Sequence, residues 1–466
     1  MLVDQIRDEF AKLESAIANG PLVPNVTAAE IRAHLGSTYS FKQSMPLDEL
    51  TADVDIMLRK WQVQVTHPRY FGLYNPSVTA AGVVADTLVA MFNPQLANWR
   101  TSPAANEIER YTLDWLAQKF GLPQDSIATF TSGGMEANLS AVVVALTHTF
   151  PGYGENGLRS LKGEPTIYLT EEAHHGFNKL VHMVGLGRRN LRVVATDSGR
   201  KMNVEELNRC VEGDRRAGLL PCMVVGNAGT TAAGVIDPLQ EIGIFCNNAG
   251  LWFHADAAWG GAAVISPALR HHLAGIELAD SITCDAHKWL SVPMGAGMFF
   301  SRHRDSVAQA FRSDITYMPG KTGQQHGDAA VTFDPLAHSA QWSRRFIGLK
   351  LFMTLAERGE AAYAKMIEHQ ALMGDLLRDR LTTSGWRIVN STPLPVICFT
   401  RDGLAPTALL ADMRDKNIAW MSEASIAGTP VIRACITSYK TTEMDVEFVV
   451  NAMNAIFATR SNRKNA

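Results

Sequence analysis

Cysteine is scarce. Six occur in 466 residues, scattered at Cys210, Cys222, Cys246, Cys284, Cys398 and Cys435, with no Cys-x-x-Cys pair. Such thiols read as reduced and mostly buried, which fits a cytoplasmic protein and suggests no metal site. No uninterrupted apolar stretch is long enough to span a bilayer, and Met1-Leu2-Val3-Asp4-Gln5 brings an acid too early for a signal peptide. An excess of charge of one sign is also missing. Lys and Arg number 43 against 46 Asp and Glu, a net charge of −3 without runs. Neither a nucleic acid nor an anionic membrane is therefore expected as a partner. Internal repeats and low-complexity segments are absent, as are a Gly-x-Gly-x-x-Gly fingerprint and a P-loop with its lysine. What remains, 46% hydrophobic and 19% charged residues, describes a soluble globular chain long enough for two or three lobes.

Periodicity separates three regions. Residues 1–65 read as a helical N-terminal arm, broken by proline turns at Gly20-Pro21 and Met45-Pro46, with Leu2, Ile6, Phe10 and Leu13 on one face. Thr27 and Glu30 stand at the positions of a capping box. Such an arm packs either on a partner subunit or on the chain's own core. Residues 66–345 read as a large α/β domain. A helix from Ala105 to Phe120 leads into a strand at 126–130, and further strands are expected at 166–170, 192–195, 223–226, 252–255, 281–284 and 298–301. Apolar strands alternating with helices predict a mostly parallel central sheet covered on both faces. Residues 346–466 read as a small α+β C-terminal domain with strands near 396–399 and 431–435. A long helical pattern running from Ser339 through Arg345, Leu349, Leu351 and Leu355 leads into it.

Lys288 ends the apolar run Ser281-Ile282-Thr283-Cys284, flanked by His287 and Trp289 and followed by Gly295 and Gly297. Dry surroundings disfavour an ammonium, and a neutral amine is what Schiff-base chemistry needs. Asp256 closes an earlier strand in His254-Ala255-Asp256-Ala257-Ala258. A buried carboxylate needs a partner, here a protonated ring nitrogen or a nearby cation. Ser132-Gly133-Gly134-Met135 joins a strand to a helix, where backbone amides and the helix N-terminus suit a phosphate. His174, in Ala173-His174-His175-Gly176, follows another strand end and could stack on a flat ring or handle protons. His175 reads as an ordinary loop residue, and Gly229-Thr230-Thr231 offers hydroxyls at a further strand end. The aromatic loops around His67–Pro76 and Trp99 supply Tyr74 and Trp99 as pocket candidates, while Arg100 matters if the substrate carries a second negative charge. One ligand accounts for the set. Pyridoxal 5'-phosphate needs an aldehyde-binding lysine, an acid for its pyridine nitrogen, a phosphate cradle and a ring contact.

At these residues the sequence resembles the group II pyridoxal-phosphate-dependent decarboxylases, which include aromatic-amino-acid, glutamate and diaminobutyrate enzymes. The most specific marks are His254-Ala255-Asp256-Ala257-Ala258 and His287-Lys288-Trp289-Leu290. Supporting marks are Ser132-Gly133-Gly134, Ala173-His174, Gly229-Thr230-Thr231 and Ser343-Arg344-Arg345-Phe346. The resemblance implies the fold type I transferase architecture (aspartate-aminotransferase-like) and a homodimer with sites at the subunit interface. It implies Lys288 as the internal aldimine, Asp256 on the ring nitrogen, His174 stacked on the ring, Thr230 and Ala258 facing the cofactor, and His287 beside the phosphate and the reacting carbons. The implied reaction is decarboxylation of an L-amino acid to the amine and CO2. Tyr70, Phe71, Tyr74 and Trp99 favour an aromatic substrate, and Arg100 leaves an acidic one open.

Two departures stand out. The family usually supplies the Cα proton from a loop tyrosine lent by the partner subunit, yet Met318 to Arg345 contains none, and Phe333 lies closest to the expected place. Tyr317 precedes that loop and matches a different family position. A phenylalanine there implies the alternative of decarboxylation with oxidative deamination to an aldehyde, unless His338 or His326 donates the proton. Met135 also replaces a hydroxyl residue often found in the family's phosphate cradle, leaving backbone amides to do that work.

Overall fold

The structure, a computed structural model, describes residues 2–312 and 332–464. The chain forms two compact units. One comprises Met1–Ser77, Leu372–Val389 and Pro395–Ala466; the other comprises Val78–Ala371 and Asn390–Leu394.

Three helices open the chain: α1 (Leu2–Asn19), α2 (Ala28–Thr38) and α3 (Leu47–Lys60). The capping box forms as expected. Thr27 Oγ1 accepts from the Glu30 amide at 3.2 Å, and Glu30 Oε2 accepts from the Thr27 amide at 2.7 Å. Then come α4 (Ala80–Phe92), α5 (Pro103–Lys119) and α6 (Gly134–Thr149).

The larger unit is built on a seven-stranded sheet in the order β1-β7-β6-β5-β4-β2-β3. Its strands are β1 (Ile127–Thr131), β2 (Pro165–Thr170), β3 (Leu191–Val194), β4 (Leu220–Asn227), β5 (Trp252–Asp256), β6 (Ser281–Asp285) and β7 (Gly297–Ser301). All seven strands expected from the apolar runs are present. β3, β2, β4, β5 and β6 pair in parallel, whereas β7 runs antiparallel to both β6 and β1. Every residue of β2, β5, β6 and β7 is buried, as a sheet covered on both faces requires.

The smaller unit carries an antiparallel sheet in the order β10-β11-β9-β8, from β8 (Arg387–Ile388), β9 (Val396–Thr400), β10 (Ser422–Ile426) and β11 (Thr429–Cys435). The aromatic loop after His67 is stitched into this unit. Phe71 donates its amide to the Trp420 carbonyl and its carbonyl accepts from the Cys435 amide, while the Tyr70 ring stacks on Trp420 at 5.2 Å.

One helix starts later than its pattern suggests. The helix expected from Ser339 begins at Leu349, because residues 344–348 are tied to α5 instead. The buried Glu109 carboxylate receives both Arg344 terminal nitrogens, at 3.0 and 2.5 Å, together with the amides of Ile347 and Gly348. Those amides are spent on a side chain, not on a helical turn. All six cysteines are free, five of them buried. Among the described residues no helix is long and apolar enough to cross a membrane.

Candidate active site

Strand register sets the geography. β1 and β6 both pair with β7, so Thr131 and Asp285 flank Gly297 in one row. Asn227, Asp256 and Thr283 form the adjoining row across β4, β5 and β6. The loops that leave this edge carry Ser132–Met135, His174, Thr230, Ala258, and His287 with Lys288. A parallel sheet gathers ligand-binding loops at its carboxyl edge, and here five of them carry the residues singled out by the sequence.

Asp256 is held by donors that arrive in one direction. Trp252 Nε1–H donates to Ser281 Oγ at 2.8 Å, and that hydroxyl lies 2.8 Å from His254 Nδ1. His254 Nε2 meets the Asn138 carbonyl at 3.0 Å, and Asn138 Nδ2 donates to Asp256 Oδ2 at 3.0 Å. The other carboxylate oxygen takes the Ala258 amide at 3.2 Å. Burial pushes the His254 pKa down to about 4, so the ring is neutral at neutral pH. It must then carry its proton on Nε2 to donate to the Asn138 carbonyl.

Lys288 sits closer to charge than its apolar approach suggests. Its Nζ is 3.0 Å from Asp285 Oδ2, and Asp285 is only 2% exposed. Desolvation is the largest influence on the lysine and lowers its pKa. Asp285 and Asp256 together outweigh it, and the net shift is upward. The sequence expectation of an amine made neutral by burial is therefore reversed, because two carboxylates act on it. Asp285 Oδ1 has no hydrogen-bond partner among the described residues.

The glycine turn faces the same carboxyl group. A Cβ on Gly134 would stand 2.8 Å from Asp285 Oδ2 and 3.3 Å from the Ala258 Cβ, and one on Gly133 would stand 3.4 Å from His287 Cε1. The amides of Gly134 and Met135 open α6 without intrahelical acceptors. Ser132 is engaged elsewhere, since both its amide and its hydroxyl donate to Glu136 Oε2, which also takes Gln341 Nε2 at 2.7 Å. His287 Nδ1 accepts from the Ala296 amide at 3.0 Å, which leaves Nε2 as the donor of the neutral ring, 3.8 Å from Asp285 Oδ2. His174 Nδ1 accepts from the Gly176 amide at 3.1 Å. Burial lowers the pKa of both histidines. A Cβ on Gly176 would strike His174 Nδ1 and Met135 Sδ, at 2.6 and 2.7 Å, so that glycine lets the imidazole and thioether close over the turn. Thr230 closes its own loop, its hydroxyl oxygen accepting from the Val235 amide at 3.0 Å. Trp289 stacks on Trp259 at 5.0 Å and 18°, bracing the lysine loop from below.

Residues 34–401 match the family model of the pyridoxal-dependent decarboxylase conserved domain. The chain belongs to the pyridoxal-dependent decarboxylases. Tryptophan decarboxylase 2 of Oryza sativa subsp. japonica is 28% identical over 467 residues, covering 96% of this chain and 91% of that one. Phenylacetaldehyde synthase of Arabidopsis thaliana is 27% identical over 419 residues, covering 86% and 83%. The crystal structure of Oryza sativa TDC with PLP and tryptamine superposes with a TM-score of 0.89 at 23% identity, over 97% of both chains. The architecture is therefore that of fold type I, and the cofactor of this decarboxylase is pyridoxal phosphate. Its site fits that group. A side chain on Gly134 would fill the cradle, and the first amides of α6 open towards it.

The substrate candidates of this decarboxylase are held by other contacts. Trp99 Nε1 donates to Glu107 Oε1 and its amide to Asp334 Oδ1, both at 2.8 Å, and Arg100 is exposed. Phe333 stacks on His338 at 4.6 Å and packs against the apolar cluster around α6. His338 Nδ1 donates to the Asp334 carbonyl at 2.9 Å. Tyr74 belongs to the smaller unit, where the Arg433 guanidinium lies 4.9 Å from its ring centre. Tyr317 and His326 lie outside the described residues. The sequence assigned no role to Asp285, Asn138 or the His254 side chain. His254 and Asp256 stand two apart on one strand, hence on one face, which was a usable signal. Asn138 reaches Asp256 across 118 positions, and nothing local announces that contact.

Proposed function

We propose that this decarboxylase removes the carboxylate of an aromatic L-amino acid, giving the amine and CO2. The observation that carries the proposal is the convergence of Lys288, Asp256, His174 and the α6 N-terminus at one sheet edge. The aromatic preference is supported by the name of the rice relative. When bound, pyridoxal phosphate supplies an electron-poor ring that accepts the pair released as CO2 departs. Lys288 would carry it through its amine, and Asp256 would hold a proton on its ring nitrogen. Neutral His174 would lie against the ring. The amides of Gly133, Gly134 and Met135, with His287 Nε2–H, would take the phosphate. A homodimer in the cytoplasm is part of the proposal, and light scattering of the purified protein checks the dimer.

Lys288→Ala should abolish turnover and remove the visible absorbance of the lysine-bound cofactor. An unchanged spectrum in that variant would overturn the assignment. A second reading, aldehyde formation, is favoured by the absence of tyrosine from residues 318–345 and by the likeness to a phenylacetaldehyde synthase. Measuring CO2, amine, aldehyde and peroxide together across L-amino acids separates the two. Amine without peroxide supports the first reading, whereas aldehyde and peroxide in equal amounts support the second.

A further inference from the structure

We propose that Lys350 is a positioning residue for the phosphate group, clamping the loop that orients His287 toward the glycine turn. The inference rests on the reading given above, in which His287 Nε2–H and the amides of Gly133–Met135 take the phosphate.

Lys350 is costly where it stands. It is the second residue of the helix that begins at Leu349 and is only 3% exposed. Burial and the positive end of the helix dipole therefore both oppose its charge. Burial pulls its pKa down, and Asp86 works against that shift. An apolar side chain of the same length would spare both costs, and Arg345 would still pair with Asp86. The ammonium is better explained by what it holds. Nζ donates to the Met294 carbonyl at 2.9 Å and lies 3.3 Å from Asp86 Oδ2. Arg345 donates to the Asp86 carbonyl at 3.1 Å, and the amides of Ile347 and Gly348 are fixed on Glu109. The segment that carries the clamp is thus anchored to α4 and α5.

Met294 lies at an exposed bend of the loop between Lys288 and β7. The backbone is left-handed on both sides of it, with φ +58° at Ser291 and +81° at Gly295. A Cβ on Gly295 would meet nothing within 4 Å, so packing does not fix that turn. Two residues beyond the captured carbonyl, Ala296 donates its amide to His287 Nδ1 at 3.0 Å, and its carbonyl accepts from the His287 amide at 3.3 Å. The ring held in this way brings Cε1 to 3.4 Å from where a Gly133 Cβ would stand. Hydrogen bonds weaken steeply when misaligned. A shift of Ala296 that turns the ring would therefore carry Nε2–H away from the turn.

Comparing pyridoxal 5'-phosphate with pyridoxal, which lacks the phosphate, tests this in the full chain. Absorbance titrations give the preference for the phosphorylated form in the unsubstituted protein, Lys350→Met and His287→Phe. Lys350→Met should lower that preference about tenfold, the worth of one charge-assisted hydrogen bond, with pyridoxal affinity unchanged. Ring 15N spectra at pH 8 add a readout that needs no cofactor. Nδ1 of His287, identified by its loss in His287→Phe, should resonate as a bare nitrogen accepting a hydrogen bond. In Lys350→Met it should move toward the unbonded position. An equal loss for both ligands, an unchanged preference or an unmoved Nδ1 would overturn the proposal. A proton on Nδ1 of the unsubstituted protein would overturn it without any Lys350 variant. His287→Phe separates the two kinds of failure. If it keeps the full preference, the placement of the phosphate beside His287 fails; if it loses the preference while Lys350→Met does not, only the clamp fails.

Discussion

Asn138 carries no charge and no chemistry of its own, yet the polarity of the Asp256 site passes through it. Its amide joins His254 to Asp256, accepting from one and donating to the other. Asn138→Leu keeps the volume and strands two buried polar atoms, His254 Nε2–H and Asp256 Oδ2. Each orphan costs about 1–3 kcal/mol, so the urea midpoint should drop and pyridoxal phosphate should bind more weakly. An unchanged midpoint and affinity would remove the relay from the account of Asp256. At this scale the sequence disclosed residue types with chemistry, namely Lys288, Asp256 and His174, since each is costly to bury without purpose. It did not disclose which neutral residues hold them. It also mistook the electrostatics of Lys288, because local hydrophobicity says nothing of a carboxylate folded back from three positions away.

Elements were more legible than contacts. β2, β5, β6 and β7 are buried along their whole length, so their apolar runs mark them, whereas β8 has two residues and β10 alternates half-buried with exposed positions before its buried last residue. The late start of the helix at Leu349 was hidden for a different reason. Residues 339–348 have helical periodicity, but Glu109 on α5 claims their amides through contacts 235 to 239 positions apart. Glu109→Gln presents Arg344 with an amide in place of a carboxylate and leaves a buried guanidinium uncompensated. Breaking one side of a buried pair costs about 3–5 kcal/mol, so this variant should lose that much in denaturant unfolding with the slope unchanged. Arg344→Lys should recover little of the native bidentate pairing, since an ammonium cannot match the fork of the carboxylate. If Glu109→Gln unfolds at the native midpoint, the anchor is not what ends the helix at Leu349.

Each unit of the molecule holds a buried histidine kept neutral well below its ordinary range: His67 in the smaller and His254 in the larger. Burial is the leading cause in both, and both pKa values are pushed down to about 4 from an ordinary 6.5. The sign follows from proton counting. Between those two values the unfolded chain binds protons that the folded chain refuses. The stability contributed by each neutral ring is therefore complete above about pH 6.5 and is lost as pH falls toward 4, at up to about 1.4 kcal/mol per pH unit for each ring. Both units thus share one window of acid sensitivity for the same reason, although their histidines sit in unrelated surroundings. His67 allows the cleaner test, since replacing His254 would also break the relay to Asp256. His67 Nδ1 accepts from the Arg69 amide at 2.9 Å, and an asparagine carbonyl can accept the same bond without titrating. His67→Asn should recover about 2 kcal/mol of the stability lost between pH 7 and pH 5, as read from urea midpoints at the two pH values. If the variant keeps the full loss, the acid sensitivity belongs to other groups, and the carboxylates paired with Lys and Arg become the ones to examine.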